Sequence, residues 1–141
     1  MKIVFSDTNI IYGLVMRIIQ WDSIDHSALF TLAKHNEIFI SSFVLKELKI
    51  NILENKNLIL QDKHIADFLA ISKIRVMESN MLRWEFVTYV SDIQDAQILQ
   101  DAFDIQADYL LTKNIKDFNI VWIKSQFDII VIRAIPDGNF I

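Results

Sequence analysis

Asp7, Glu47, Asp95 and Asp117 are the residues of this chain whose type and placement could do chemistry. They come from four separate stretches, "IVFSDTN", "SFVLKELKI", "SDIQDAQ" and "NIKDF". Brought to one place, four like charges repel unless a cation neutralises them. Carboxylates without a thiolate or a suitably spaced histidine select a hard divalent ion, Mg²⁺ or Mn²⁺, over zinc. Such a site suits phosphodiester hydrolysis: one ion lowers the pKa of a water, and a second about 4 Å away stabilises the leaving oxygen. No protein nucleophile is required. His26, His35 and His64 have no zinc-type spacing and sit in stretches read as helices, far from the acids in sequence.

Each acid alone also has an ordinary explanation. Asp7 after a strand caps a following helix, Glu47 is a solvated helix glutamate between Lys46 and Lys49, and Asp117 is a turn residue. Asp92 and Asp95 suit the first turn of a helix, where caps and acids oppose the helix dipole; Ser91 with Gln94 also has capping-box spacing. Asp101 and Asp104 fall on the far side of that helix at 3.6 residues per turn and read as solvated surface.

The elements that must position these acids alternate along the chain. "KIVF" (2–5) is a β-branched run, followed by helical spacing over 8–21 despite Gly13. A second helix is expected over 24–36, a strand over 37–41, and a helix over 42–56 that carries Val44, Leu45, Leu48 and Ile52 on one face. A helix over 62–72, a strand over 73–78, a helix over 92–106, a strand over 108–112, a turn to Phe118 and a strand over 128–134 complete the pattern. Alternation of this kind predicts a mainly parallel sheet of four to five strands covered by helices on both faces, a three-layer α/β/α arrangement. Ligands then bind beyond the carboxyl ends of the strands, where Asp7, Glu47 and Asp117 follow strands and Asp95 opens a helix.

Composition bounds the function. The 141 residues are 52% hydrophobic and 23% charged, the size of one domain with a substantial core. Two glycines and one proline leave no flexible linker and no glycine-rich phosphate loop. Zero cysteines exclude a disulfide scaffold and a thiol nucleophile. An acid at position 7 and Arg17 after the apolar patch 10–16 argue against a secretory signal or a membrane span, so a cytoplasmic protein is expected. The net charge of -4 gives no global attraction for a polyanion. RNA contact would therefore rest on Lys46, Lys49, Lys113 and Lys116, which flank the acids in sequence and equally suit solvated surface.

Asp7-Thr8-Asn9, Glu47 in "SSFVLKELKI", Asp95-Ala96, "ILQDAFDIQADYLLTKN" and Asp117-Phe118 together resemble the PIN-domain ribonucleases over nearly the whole chain. The resemblance implies a single PIN-like domain over 1–141. It implies that Asp7, Glu47, Asp95 and Asp117 bind one or two Mg²⁺ or Mn²⁺ ions, with Asn9, Thr112 and Asn114 lining or supporting the site and Asp92 beside it. Many small bacterial members are VapC-like toxins held by an antitoxin partner, so the resemblance implies an RNA substrate and an antitoxin, while the high apolar content of the chain is compatible with a homodimer.

Trp84, Phe86 and Tyr89 could stack on bases or serve as core or oligomer contacts. A phosphatase of the haloacid-dehalogenase type needs an acid where Asn9 stands, and a response-regulator receiver needs an acidic pair that is missing. The non-enzyme alternative is a PIN-like binding module acting through protein-protein contacts. The apolar segments "LILQ" and "IIVI" suit such an interface.

Overall fold

Five short strands line up in the order β3-β2-β1-β4-β5, all parallel, in a computed structural model that describes residues 1–20, 35–54 and 62–133. Side chains 16–20, 62–64 and 71 also lie outside that description, as do the segment "LILQ" and the helix expected over 24–36 up to residue 34; its expected last residue, Asn36, opens a strand instead. The strands are β1 (Lys2–Ser6), β2 (Asn36–Ser41), β3 (Arg75–Met77), β4 (Tyr109–Leu111) and β5 (Ile130–Ile132). The helices are α1 (Thr8–Gln20), α2 (Ser42–Glu54), α3 (Asp62–Ile71), α4 (Ile93–Asp104) and α5 (Ile120–Phe127).

β1 is the middle strand. Its successive residues Val4 and Phe5 are both fully buried, the signature of a strand covered on both faces. Their neighbours Ile38, Ile40, Leu110 and Leu111 continue the apolar layer, and Val44, Leu48 and Ile52 of α2 bury the helix face expected from the sequence. The expected sheet is thus present, with five strands and no antiparallel member among the described residues.

Strand order creates a crevice. From β1 the chain steps outward to β2 and β3, then crosses back to β4 on the other flank of β1 and continues to β5. The direction of progression reverses between β1 and β4, and the carboxyl ends at such a reversal leave a gap between diverging loops.

Some boundaries differ from expectation. The strand expected over 73–78 is confined to 75–77, because Lys73 adopts a left-handed conformation (φ 56°) that ends the turn after α3. The sequence pattern assigned no element to 119–127; there the chain forms α5, capped by Asn119 accepting from the Trp122 N–H. A six-residue 3-10 segment, Trp84–Tyr89, is pinned by ring packing: Phe86, Phe103 and Phe127 stand 5.2–5.4 Å apart, and Tyr89 meets Phe127 at 5.0 Å and Trp122 at 5.7 Å. Phe86 is therefore core and cannot stack on a base, whereas Trp84 is 73% exposed. In "IIVI", Ile129 and Val131 are buried and Ile130 is exposed, so that segment is an ordinary edge strand with one outward face.

Asp101 overturns its surface assignment. It is fully buried, accepting from the Ser79 hydroxyl and the Gln97 amide, both at 2.9 Å, with Ser41 as a further donor. The loop 78–83 folds back over α4 and supplies Ser79, Gln97 lies on α4 itself and Ser41 ends β2, while Asp104 is half-buried and takes Asn80 and Arg83 from the same loop. Periodicity tells which side of a helix a residue is on, but not what lies across from it.

Candidate functional site

The site begins where β1 ends. Asp7 extends the ladder to β4 by donating its N–H to the Leu111 carbonyl at 2.9 Å, which places its buried side chain in the crevice at the strand reversal. One carboxylate oxygen accepts from the Thr8 N–H at 2.6 Å and the other from the Thr112 hydroxyl at 2.8 Å. Burial raises the Asp7 pKa, the two hydrogen bonds oppose the rise, and Asp117 and Asp92 add to it.

Thr112 follows β4 and is fully buried. Its hydroxyl oxygen also accepts from the Asn114 N–H at 3.1 Å and from the Asn9 amide at 3.4 Å, and Asn9 in turn accepts the Lys113 N–H at 3.2 Å. Thr112, Asn9 and Asn114 thus hold one another and Asp7 at the mouth of the β1–β4 crevice.

Glu47 reaches the same crevice from the second turn of α2. The Thr8 hydroxyl donates to its Oε1 at 2.8 Å, and burial with the nearby Asp7 and Asp92 charges pushes its pKa up. Thr8 joins two of the acids, one through its backbone and one through its side chain. Sequence reasoning did not single it out; its position immediately after Asp7 at a helix start was the available signal.

Asp95 and Asp117 come from the other flank. Asp92 is the N-cap of α4, accepting from Gln94 N–H at 2.8 Å and Asp95 N–H at 3.2 Å, so the capping role falls to Asp92 and the Asp95 carboxylate is left to face the pocket. The Ser91 N–H donates to the Asp117 carbonyl at 2.8 Å and Asn119 N–H to the Tyr89 carbonyl at 2.8 Å, around an antiparallel bridge between Val90 and Phe118. This bridge ties the loop carrying Asp117 to the start of α4.

Asp7, Glu47, Asp95 and Asp117 all line one pocket, together with Thr8, Asn9, Asp92 and Asn114. Asp95 is pushed up to about 7 by burial first and then by Asp92, Asp7, Asp117 and Glu47, every one of them negative. Among the described residues no group of three or more His, Asp or Glu side chains is arranged as a finished ligand set. Asp7 has both oxygens engaged by protein donors and Glu47 has one. The donors nonetheless fit a hard divalent ion in kind: carboxylate oxygens that destabilise one another when ionised, with amide oxygens from Asn9 and Asn114 at the mouth.

Of the four lysines considered for RNA, Lys113 lines the pocket; Lys46 and Lys116 are outside its lining, Lys46 exposed, and Lys49 is half-buried. His35 is exposed and does not line the pocket.

No family model matches the chain, and no curated protein matches it. A solved structure does: a chain of VapBC2 from Rickettsia felis, in complex with a DNA fragment from their promoter, is similar with a TM-score of 0.63 over 92% of this chain and 97% of that one. The two share 23% identity, so the likeness is one of fold, and it agrees with the PIN-like α/β architecture expected from the sequence.

Proposed function

We propose that this protein is a metal-dependent endoribonuclease that hydrolyses RNA phosphodiester bonds in the acidic pocket. The observation that carries the proposal is the meeting of Asp7, Glu47, Asp95 and Asp117, from four separate regions of the chain, in one pocket at the reversal of strand order. These four would hold Mg²⁺ or Mn²⁺. What such an ion supplies when bound is a lowered pKa for an attacking water and neutralisation of charge at phosphorus. Hydrolysis breaks one P–O ester bond, leaving a phosphomonoester end and a hydroxyl end.

The chain's own contribution is to fix the acids before substrate arrives. Thr8 and Thr112 hold the Asp7 and Glu47 carboxylates, and Asp92 caps α4 so that Asp95 keeps its direction. Preorganised groups of this kind need no rearrangement during the reaction. Asn9 and Asn114 line the mouth, where a ribose or phosphate oxygen would meet their amides.

The fold shared with VapBC2 supports extending this reading to the toxin of a toxin-antitoxin pair, with a protein partner that blocks the pocket. Ile120, Val121 and Trp122 on α5 are exposed beside Tyr89 and favour a protein contact, either the antitoxin or a second copy of the chain. The same surface favours the second reading, a PIN-like binding module without catalysis.

The test is incubation of a mixed pool of structured and single-stranded RNAs with the protein plus Mn²⁺, with EDTA, and as the Asp95→Asn variant, alongside calorimetry of Mn²⁺ binding. Cleavage only in the first sample is the expected result. Intact RNA in all three, with no heat of Mn²⁺ binding, would leave the binding module as the reading that stands.

A further inference from the structure

Gly13 sits in the middle of α1, where glycine costs about 1 kcal/mol relative to alanine. Glycine is needed at a position either for a left-handed backbone or for space. Among the described residues no glycine has a positive φ, so the backbone does not require it here. What a side chain would meet there is the end of Lys113: a Cβ at residue 13 would stand 3.0 Å from its Nζ and 4.0 Å from its Cε, so the ammonium would have to give way. The missing side chain is a seat for the lysine ammonium.

Two contacts define how Lys113 reaches that seat. Its N–H donates to the Asn9 side chain, and Asn9 and Gly13 are four residues apart on one face of α1. The lysine is thus held at its backbone by Asn9 and at its tip beside Gly13, one helical turn further on. Both ends border the acidic pocket, whose lining includes Asn9, Gly13 and Lys113.

Among the described residues that line the pocket, Lys113 is the one cation, against Asp7, Glu47, Asp92, Asp95 and Asp117. It is not their counter-ion: it forms none of the ion pairs found among the described residues, and the charges acting on Asp95 are all negative. An ammonium that lines the same pocket as five carboxylates but pairs with none of them is free to meet an anion entering from outside. The anion suited to this place is a phosphate of the RNA backbone, which must otherwise approach a negative pocket on a chain of net charge -4.

We infer that Lys113, seated against the bare face of Gly13 and anchored through Asn9, is a phosphate-binding residue that positions the RNA strand at the mouth of the acidic pocket. The inference rests on the nuclease reading and adds a residue pair to it. Lysine acts here as a point charge, so it orients the strand without reading its sequence.

The experiment measures binding of a single-stranded oligoribonucleotide by fluorescence anisotropy over a series of KCl concentrations, with all variants built in the Asp95→Asn chain so that RNA stays intact. Lys113→Ala is expected to weaken binding roughly 3- to 10-fold and to lower the slope of log affinity against log salt by about 0.7, the share of one phosphate contact on a single strand. Gly13→Ala pushes the ammonium by tenths of an ångström and Gly13→Val fills its seat. Both are expected to weaken binding, Val more than Ala, while Gly13→Ala raises the melting temperature through better helix propensity. In the Lys113→Ala background the Gly13 substitutions are expected to have no further effect on binding, which separates loss of the seat from general damage to α1. An unchanged affinity and salt slope for Lys113→Ala would overturn the inference while leaving metal-dependent cleavage by the unmodified chain intact. Absence of both RNA binding and cleavage in the unmodified chain would instead overturn the nuclease reading, and this inference with it.

Discussion

The Thr112 hydroxyl donates to the Asp7 carboxylate at 2.8 Å, joining the carboxyl ends of two adjacent strands where the order of the sheet reverses. Both residues are buried, so the bond is shielded from water. A hydrogen bond to a charged group is worth about 1.5–3 kcal/mol, and more is lost when the carboxylate is left short of a partner. Thr112→Val, which keeps the shape and removes the hydroxyl, is expected to cost roughly 2 kcal/mol in urea unfolding at neutral pH. Thr112→Ser should recover most of it. A loss in Thr112→Ser with none in Thr112→Val would show that the methyl packing, and not the hydroxyl, carries the contribution.

The crowding of acids makes a prediction about pH. In the folded state Asp95 keeps its proton up to about 7, whereas an unperturbed aspartate releases it near 3.8. A raised folded-state pKa gives stability that is fully present below the unfolded value and is lost as pH rises through the folded one. Asp7 and Glu47 move in the same direction. Asp95→Asn is therefore expected to make the metal-free protein more stable at pH 8, on the order of 1 kcal/mol after solvent screening of a half-buried group, with the difference closing below about pH 4. Adding Mn²⁺ should reverse the ranking, because a ligand bound by the native state alone raises its stability. Melting curves at pH 4, 6 and 8 with and without Mn²⁺ check both halves.

Much of this site was legible in the sequence because two simple rules act together. Alternating strand and helix patterns imply a parallel sheet, and a parallel sheet sends ligands to its carboxyl edge; Asp7, Glu47, Asp95 and Asp117 then point to one place. What escaped depends on tertiary partners. Ile120, Val121, Trp122 and Ile123 form a contiguous apolar run with no helical period, yet α5 forms because Asn119 caps it and Phe127 locks into the aromatic cluster. Asp101 lies opposite Asp95 on α4 just as angular spacing says, but the loop 78–83 closes over it. Thr8 looked like helix-start punctuation because nothing local announces that Glu47, 39 residues away, will accept its hydroxyl.

Asp101 leads to a prediction outside the pocket. Its carboxylate collects donors from Ser79, Gln97 and Ser41, and in doing so fastens the loop 78–83 to α4 and the end of β2. Asp101→Asn places an amide N–H₂ among groups that already donate, and Asp101→Leu removes every acceptor. Each is expected to destabilise the protein by about 2–4 kcal/mol, the range for breaking a buried polar network. Limited proteolysis should show new cleavage within 78–83, while metal-dependent cleavage of RNA by the folded fraction stays near the unmodified level. A stability unchanged within error would mean that the network is replaceable by water.

Thr8 gives the sharpest distinction between a structural and a functional role. Its N–H holds Asp7 whatever its side chain, so Thr8→Val leaves that bond in place and removes only the hydroxyl that holds Glu47. Stability should then fall modestly, by about 1 kcal/mol for one partly buried hydrogen bond. If Thr8 positions Glu47 for hydrolysis, kcat should fall on the order of tenfold with KM little changed, because alignment of a group that acts in the transition state is what has been lost. Thr8→Ser should restore the rate. The decisive comparison is Thr8→Val combined with Glu47→Gln: a residue that works only through Glu47 has nothing left to contribute once Glu47 is gone, so the double variant should be no slower than Glu47→Gln alone. Additive losses would instead mean that the Thr8 hydroxyl acts on the reaction by a route that does not pass through Glu47.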